Sequence, residues 1–150
     1  MKKYAFMLMG ILMIVVSFSG CSSKVTSIEE LKQRGSIVMT TNAELEPFEY
    51  RDGNEIVGID IDISKKIAES LGVELVVNDV SFDALIFELK GNKCDFVAAG
   101  MSYNVDRARN VSFSVPYFNA SQDIVIRNDS DIKSAEDIKN KMIGVQLGTT

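Results

Sequence analysis

Ile63-Ser64-Lys65-Lys66-Ile67-Ala68-Glu69-Ser70-Leu71-Gly72-Val73-Glu74-Leu75-Val76-Val77 changes its hydrophobic period halfway. Ile63, Ile67 and Leu71 recur at helical spacing, Gly72 is the residue type that stops a helix, and 73–77 is β-rich. Upstream, 36–41 (SIVMTT) reads as a buried strand. Downstream, Phe82, Leu85, Ile86 and Leu89 trace a second amphipathic helix ending at Gly91, and 96–99 a third buried strand. Strand, helix, strand, helix, strand predicts an α/β fold with a parallel sheet and right-handed crossovers. Between the first strand and the first long helix, Asp52-Gly53 sits between 47–50 and 55–58 as the turn of a β-hairpin. Ser27 with Glu30 forms a capping box for a helix at 28–34, stopped by Gly35. Further on, 105–110 reads as a short helix, 123–127 as a strand leading away, Ser134 with Asp137 as another helix cap, and 142–146 as a fifth strand.

The chain has 150 residues, net charge −5, two cysteines and no histidine. Lacking histidine, it can build no Ser-His-Asp triad, Cys-His pair or His metal site, and two cysteines are too few for a disulfide scaffold or a four-Cys zinc site. No metal or cofactor is expected. An acidic chain with no basic stripe argues against nucleic acid. Lys2 and Lys3 precede an apolar run at 4–16, then small residues and Cys21. That run is shorter than the roughly 20 residues that span a bilayer, so 1–20 reads as a signal peptide. The remainder carries fourteen basic and twenty-one acidic side chains, a net charge of −7, as expected of a soluble exported domain. Phe18-Ser19-Gly20-Cys21 resembles a lipoprotein lipobox. That resemblance implies Cys21 as the lipidated N-terminus, held to the membrane by acyl chains such as palmitate, with 21–26 as tether. An ordinary cleaved signal beside a free cysteine is the alternative. Cys94 reads as a small buried apolar residue.

The sequence stops at Gly148-Thr149-Thr150, directly after the fifth strand signal. Such a segment would open a helix, with Thr as N-cap and free N–H groups pointing at an anion. The expectation is therefore a truncated chain.

Several stretches together resemble the polar amino-acid-binding proteins of ABC importers, extracellular solute-binding proteins family 3. They are 41–50 (TNAELEPFEY), 57–62 (VGIDID), 81–86 (SFDALI), 95–102 (DFVAAGMS), Arg107, 113–117 (FSVPY) and 143–150 (IGVQLGTT). The resemblance implies a periplasmic-binding-protein type II fold, two α/β lobes joined by a hinge. It divides the chain into most of lobe 1 (27–120), a hinge crossover (121–130) and the start of lobe 2 (131–150). It implies ligand contacts from Asn42, Glu44, Leu45, Phe82, Ala99, Gly100, Met101, Ser102, Arg107, Gln146, Thr149 and Thr150. A free amino acid offers a carboxylate, an ammonium and a side chain. Arg107 can grip the carboxylate with a bidentate fork, unless it is a surface arginine paired with Asp106. Gly100 permits close backbone approach and Ser102 offers a hydroxyl, although a plain strand-to-helix turn needs the same residues. Thr149 and Thr150 would hold the same carboxylate from lobe 2, or simply cap a helix. Phe82 stacks on the ligand or fills the core. Leu45 replaces the Phe or Tyr many members carry. Asn42 falls where some members read the ligand side chain with Asp. A neutral amide favours a neutral polar ligand, while Glu44 favours a cationic one unless it is merely solvated. Phe48, Asp60, Asp62 and Asp83 are assigned to core packing, helix capping and first-turn charge.

The function implied is capture of a polar amino acid and its delivery to ABC permease subunits. The protein would be a monomer, lipid-anchored on the extracytoplasmic face of the cell membrane, and not an enzyme. Two alternatives share the fold: a cyclohexadienyl or arogenate dehydratase, and a receptor's sensor domain. A single lobe is expected to bind poorly, since half the ligand would stay in water.

Overall fold

The computed structural model describes residues 26–150; the leader, Cys21 and most of the tether lie outside the described residues. Helix α1 (Ile28–Arg34) opens on Ser27, whose hydroxyl accepts from Glu30 N at 3.2 Å while Glu30 Oε2 accepts from Ser27 N at 3.0 Å. Gly35, at φ 75°, closes it, as the sequence predicts.

Strand β1 (Ser36–Thr41) runs parallel to β5 (Glu74–Asp79) from Ser36↔Glu74 to Thr41↔Asp79, and parallel to β6 (Phe96–Val97) through Met39↔Phe96 and Thr40↔Val97. The sheet order is β5-β1-β6, which places β1 at the centre. A second, antiparallel sheet holds β2 (Glu44–Leu45), β3 (Glu49–Asp52) and β4 (Glu55–Val57). Its Asp52↔Glu55 closure puts Gly53-Asn54 at the hairpin turn, one residue later than the expected Asp52-Gly53, because Asp52 pairs in the ladder.

Helix α2 (Ile59–Leu71) connects the two sheets and ends at Gly72, φ 70°. Its N-cap Gly58 sits at φ 128°, and a Cβ there would lie 2.3 Å from the Phe48 carbonyl oxygen, so only glycine fits this corner. Leu31, Ile37 and Ala68 form a buried cluster packed by Leu71, Val73, Leu75 and Phe96, which joins α1, α2 and the sheet. The second predicted helix starts as a 3-10 turn (Phe82–Ala84) before α3 (Leu85–Lys90), whose Leu85 is fully buried. Helix α4 (Val105–Ala108) is capped by Asn104, whose Oδ1 accepts from Arg107 N at 2.8 Å. Cys94 is a buried free thiol.

The third strand is shorter than predicted because the chain turns at Gly100 (φ 52°), although Ala98 N still donates to Thr40 O. Neither 123–127 nor 142–146 forms a strand. A strand is held by ladder bonds to a neighbour, and neither segment has one among the described residues; Val125 and Val145 stay largely exposed. The Ser134/Asp137 capping box is present but opens only a 3-10 turn (Ala135–Ile138).

Asp60, in the first turn of α2, does more than the charge work predicted for it. Buried, it accepts from Gly100 N at 2.7 Å and from Tyr117 Oη at 2.8 Å. Glu49 of β3 is buried beside it, and among the described residues no N–H or hydroxyl donor reaches either carboxyl oxygen, the Asp60 carboxylate being its hydrogen-bond neighbour. Burial first, then the neighbouring Asp60 charge, push the Glu49 carboxyl up from 4.5 to about 9. Burial, with Asp60 as acceptor, also raises the Tyr117 phenol.

The folded chain therefore holds a proton on Glu49 that the unfolded chain releases near 4.5. The resulting stabilisation is complete below that pH and disappears as pH rises through about 9. In thermal melts between pH 5 and 9, Glu49→Gln should show a flatter pH dependence than the wild type. Identical slopes would contradict a protonated Glu49.

Candidate functional site

The carboxyl ends of a parallel sheet's strands are where α/β folds gather ligands. Here β1 runs out into Asn42 and Ala43, and two contacts fix that exit. Ala43 N donates to Asp79 Oδ1 at 2.9 Å, and Asn42 Nδ2 donates to Val80 O at 3.0 Å. The chain beyond β6 turns at Gly100, whose amide is tied to Asp60. A Cβ on Gly100 would stand 2.6 Å from Leu45 Cδ2, so the close approach expected of this glycine is to the cleft wall.

A cleft of about 620 Å³ opens at this edge. Asn42, Leu45, Phe82, Gly100, Ser102 and Arg107 line it from one side, and Gln146, Thr149 and Thr150 from the other. Nine of the twelve residues expected at the site therefore come together. The other three do not line the cleft. Glu44 stands at its rim, with Oε2 3.3 Å from Gln146 Nε2. Ala99 is fully buried beneath it. Met101 faces away, into an apolar groove with Ile63, Ile67, Ile86 and Phe96, and also borders a small pocket with Arg107 and Gly148. The Thr149 hydroxyl donates to Gln146 O at 2.7 Å and closes a turn.

Arg107 is 8% exposed. Nη1 donates to Ser102 O and Nη2 to Gly148 O, both at 2.8 Å, and the guanidinium lies 5.4 Å from the Phe82 ring centroid. It forms no ion pair among the described residues; Asp106, the alternative partner, is bound by Arg109 at 3.0 Å. Burial lowers the Arg107 pKa from its ordinary value, the mark of a cation losing water without gaining an anion. A buried guanidinium satisfied only by carbonyls and a ring is a standing site for a carboxylate. Phe82 thus stacks on the arginine at the cleft wall. At the other end, Gln146 Nε2 donates to Asn42 Oδ1 at 2.8 Å.

Sequence reasoning did not place Glu49 or the segment 122–126 in the site, and both line the cleft. Glu49 gives no signal, being an acid in a strand whose neighbours Arg51 and Asp52 are polar and exposed. The segment 122–126 reads as a strand, and by resemblance as part of a hinge crossover, neither of which marks its residues as cleft lining. Among the described residues no group of His, Cys, Asp or Glu is arranged to hold a metal ion, and no helix is long and apolar enough to cross a membrane.

Residues 37–145 match the family of bacterial extracellular solute-binding proteins, family 3. The arginine-binding extracellular protein ArtP of Bacillus subtilis (strain 168) is 38% identical over 149 residues, which is 99% of this chain and 57% of that protein. The chain thus spans little more than half the length of such relatives. Among solved structures, a Gly52Ala mutant of arginine-bound ArgBP from T. maritima superposes with a TM-score of 0.78 at 45% identity, covering 83% of this chain and 60% of that one. The arginine-bound form of domain 1 of the same protein gives 0.60 at 44% identity, covering 61% and 74%. The fold of these structures is the periplasmic-binding type II fold expected from the sequence. With the α/β core, the arginine-centred cleft and this match over most of its length, the chain belongs to the bacterial extracellular solute-binding proteins, family 3.

Proposed function

We propose that the protein is the substrate-binding component of an ABC importer, taking a free polar amino acid between two lobes and handing it to membrane permease subunits. The observation that carries this is Arg107, a buried guanidinium in the cleft lining that forms no ion pair among the described residues. The names of similar proteins, an arginine-binding extracellular protein among them, support the same reading. In it, 27–120 is most of lobe 1, 121–130 the crossover and 131–150 the start of lobe 2. Gly100, Ser102 and Arg107 hold the carboxylate, Thr149 and Thr150 meet it from lobe 2, and the lipid on Cys21 keeps a monomer at the extracytoplasmic face. A ligand gripped from both sides favours the closed arrangement by as much as it binds that arrangement better.

The structure of an isolated domain 1 described as arginine-bound changes one expectation. Most of the carboxylate grip lies in lobe 1, so one lobe should retain weak, measurable binding.

Removing Arg107 deletes one partner of a buried charge pair, a loss of about 2 kcal/mol or more, roughly thirtyfold in Kd. Calorimetry on the full-length protein lacking its leader should show this for Arg107→Ala with whichever amino acid raises its melting temperature most. Unchanged affinity would remove Arg107 from the site.

Glu49, an acid in the cleft wall that burial keeps protonated, is the feature of the site that favours the dehydratase alternative. Its oxygens are sealed from solvent and so are not poised to reach a substrate. Incubation with prephenate should therefore yield no phenylpyruvate; its appearance would reverse the assignment.

A further inference from the structure

The contacts around Gln146 carry an inference about which side chain the cleft reads; it rests on the amino-acid-binding role proposed above. A main-chain carbonyl can only accept, so Val80 O, 3.0 Å from Asn42, fixes the Asn42 amide with its nitrogen inward and Oδ1 toward the cleft. Oδ1 can only accept in turn, so Gln146, 2.8 Å away, must present Nε2. That nitrogen has two hydrogens, and its second acceptor is Glu44 Oε2 at 3.3 Å. The orientation of two amides is thus set by one backbone carbonyl. What is left over at this end is the acceptor capacity of Gln146 Oε1 and of the Glu44 carboxylate. Among the described residues neither Gln146 Oε1 nor Glu44 Oε1 takes a hydrogen bond, and neither Arg107 nor Lys141, the cations of the cleft lining, pairs with Glu44.

We propose that Asn42 and Gln146 form an orienting relay that makes the far end of the cleft an all-acceptor subsite for a cationic amino-acid side chain, a guanidinium or an ammonium. Gln146 Oε1 and Glu44 are its contacts, and Asn42 is a positioning residue that does not touch the ligand. Asn42, first read as favouring a neutral ligand, instead serves a cationic one because its own donor is spent on Val80.

The test is calorimetry on the intact protein with L-arginine and L-citrulline, which exchanges the guanidinium for a neutral ureido group bearing an acceptor oxygen. Wild type should prefer arginine by more than about tenfold, the difference a charged donor makes at an acceptor site. Gln146→Met keeps the length but lacks both amide groups, and should reduce that preference by roughly tenfold. Asn42→Ala should reduce it about three- to fivefold in wild type. In the Gln146→Met background Asn42→Ala should change nothing, because its effect passes through Gln146. If Asn42→Ala is as costly in that background as in wild type, Asn42 is a direct contact and the relay is wrong. A wild type that binds citrulline as well as arginine, or Gln146→Met with its preference intact, overturns the cationic subsite while leaving amino-acid binding in place. No heat with any amino acid removes the underlying role as well.

Discussion

The Asp60 carboxylate is the point on which the site's geometry depends. It starts α2, holds the Gly100 amide and takes the Tyr117 hydroxyl, so three stretches far apart in sequence are fixed by one buried acid. Buried charges persist only when their acceptor capacity is used, and both Asp60 oxygens are used. The turn it secures leads directly to Ser102, whose carbonyl orients Arg107. Glu49 sits against this acid as its uncharged companion. Two ionised carboxyls in one dry place would repel and would loosen both the turn and the Tyr117 strap.

The site divides into two ends of different character. Around Arg107 the partners are carbonyls and a ring face, so positive charge is left over. Around Glu44, Asn42 and Gln146 the amide donors are consumed internally, so acceptors are left over. An amino acid is a dipole with its own fixed carboxylate. A cleft with unspent charge of opposite sign at its two ends orients such a molecule as well as holding it.

Much of this was legible in the sequence where it is a local matter. The capping box at Ser27, the stops at Gly35 and Gly72 and the two helix periods rest on contacts within a few residues and stand as read, and the hairpin forms with its turn one residue later than read. Family motifs brought nine of twelve expected site residues to one cleft. What was not legible is non-local. The segments 123–127 and 142–146 carry strand composition, but a strand also needs a partner, and propensity says nothing about that. Asp60 was placed correctly in a first turn, yet its bonds to residues 40 and 57 positions away have no sequence signature. The orientation of the Asn42 amide was not legible for the same reason, since it depends on a carbonyl 38 residues downstream.

Both carbonyls that hold Arg107 belong to the main chain, one from Ser102 and one from Gly148. A peptide carbonyl survives any substitution that leaves the backbone path intact, and at Gly148 that path is guarded by Asp83, whose Cα would lie 2.9 Å from a Cβ. The anchor is therefore insulated from mutation at most surrounding positions, while the opposite end is built wholly of side chains. On the proposed reading, exchanging Asn42, Glu44 or Gln146 would change which side chain the cleft accepts and leave that main-chain anchor in place. Such a division lets one scaffold diversify by altering a single wall.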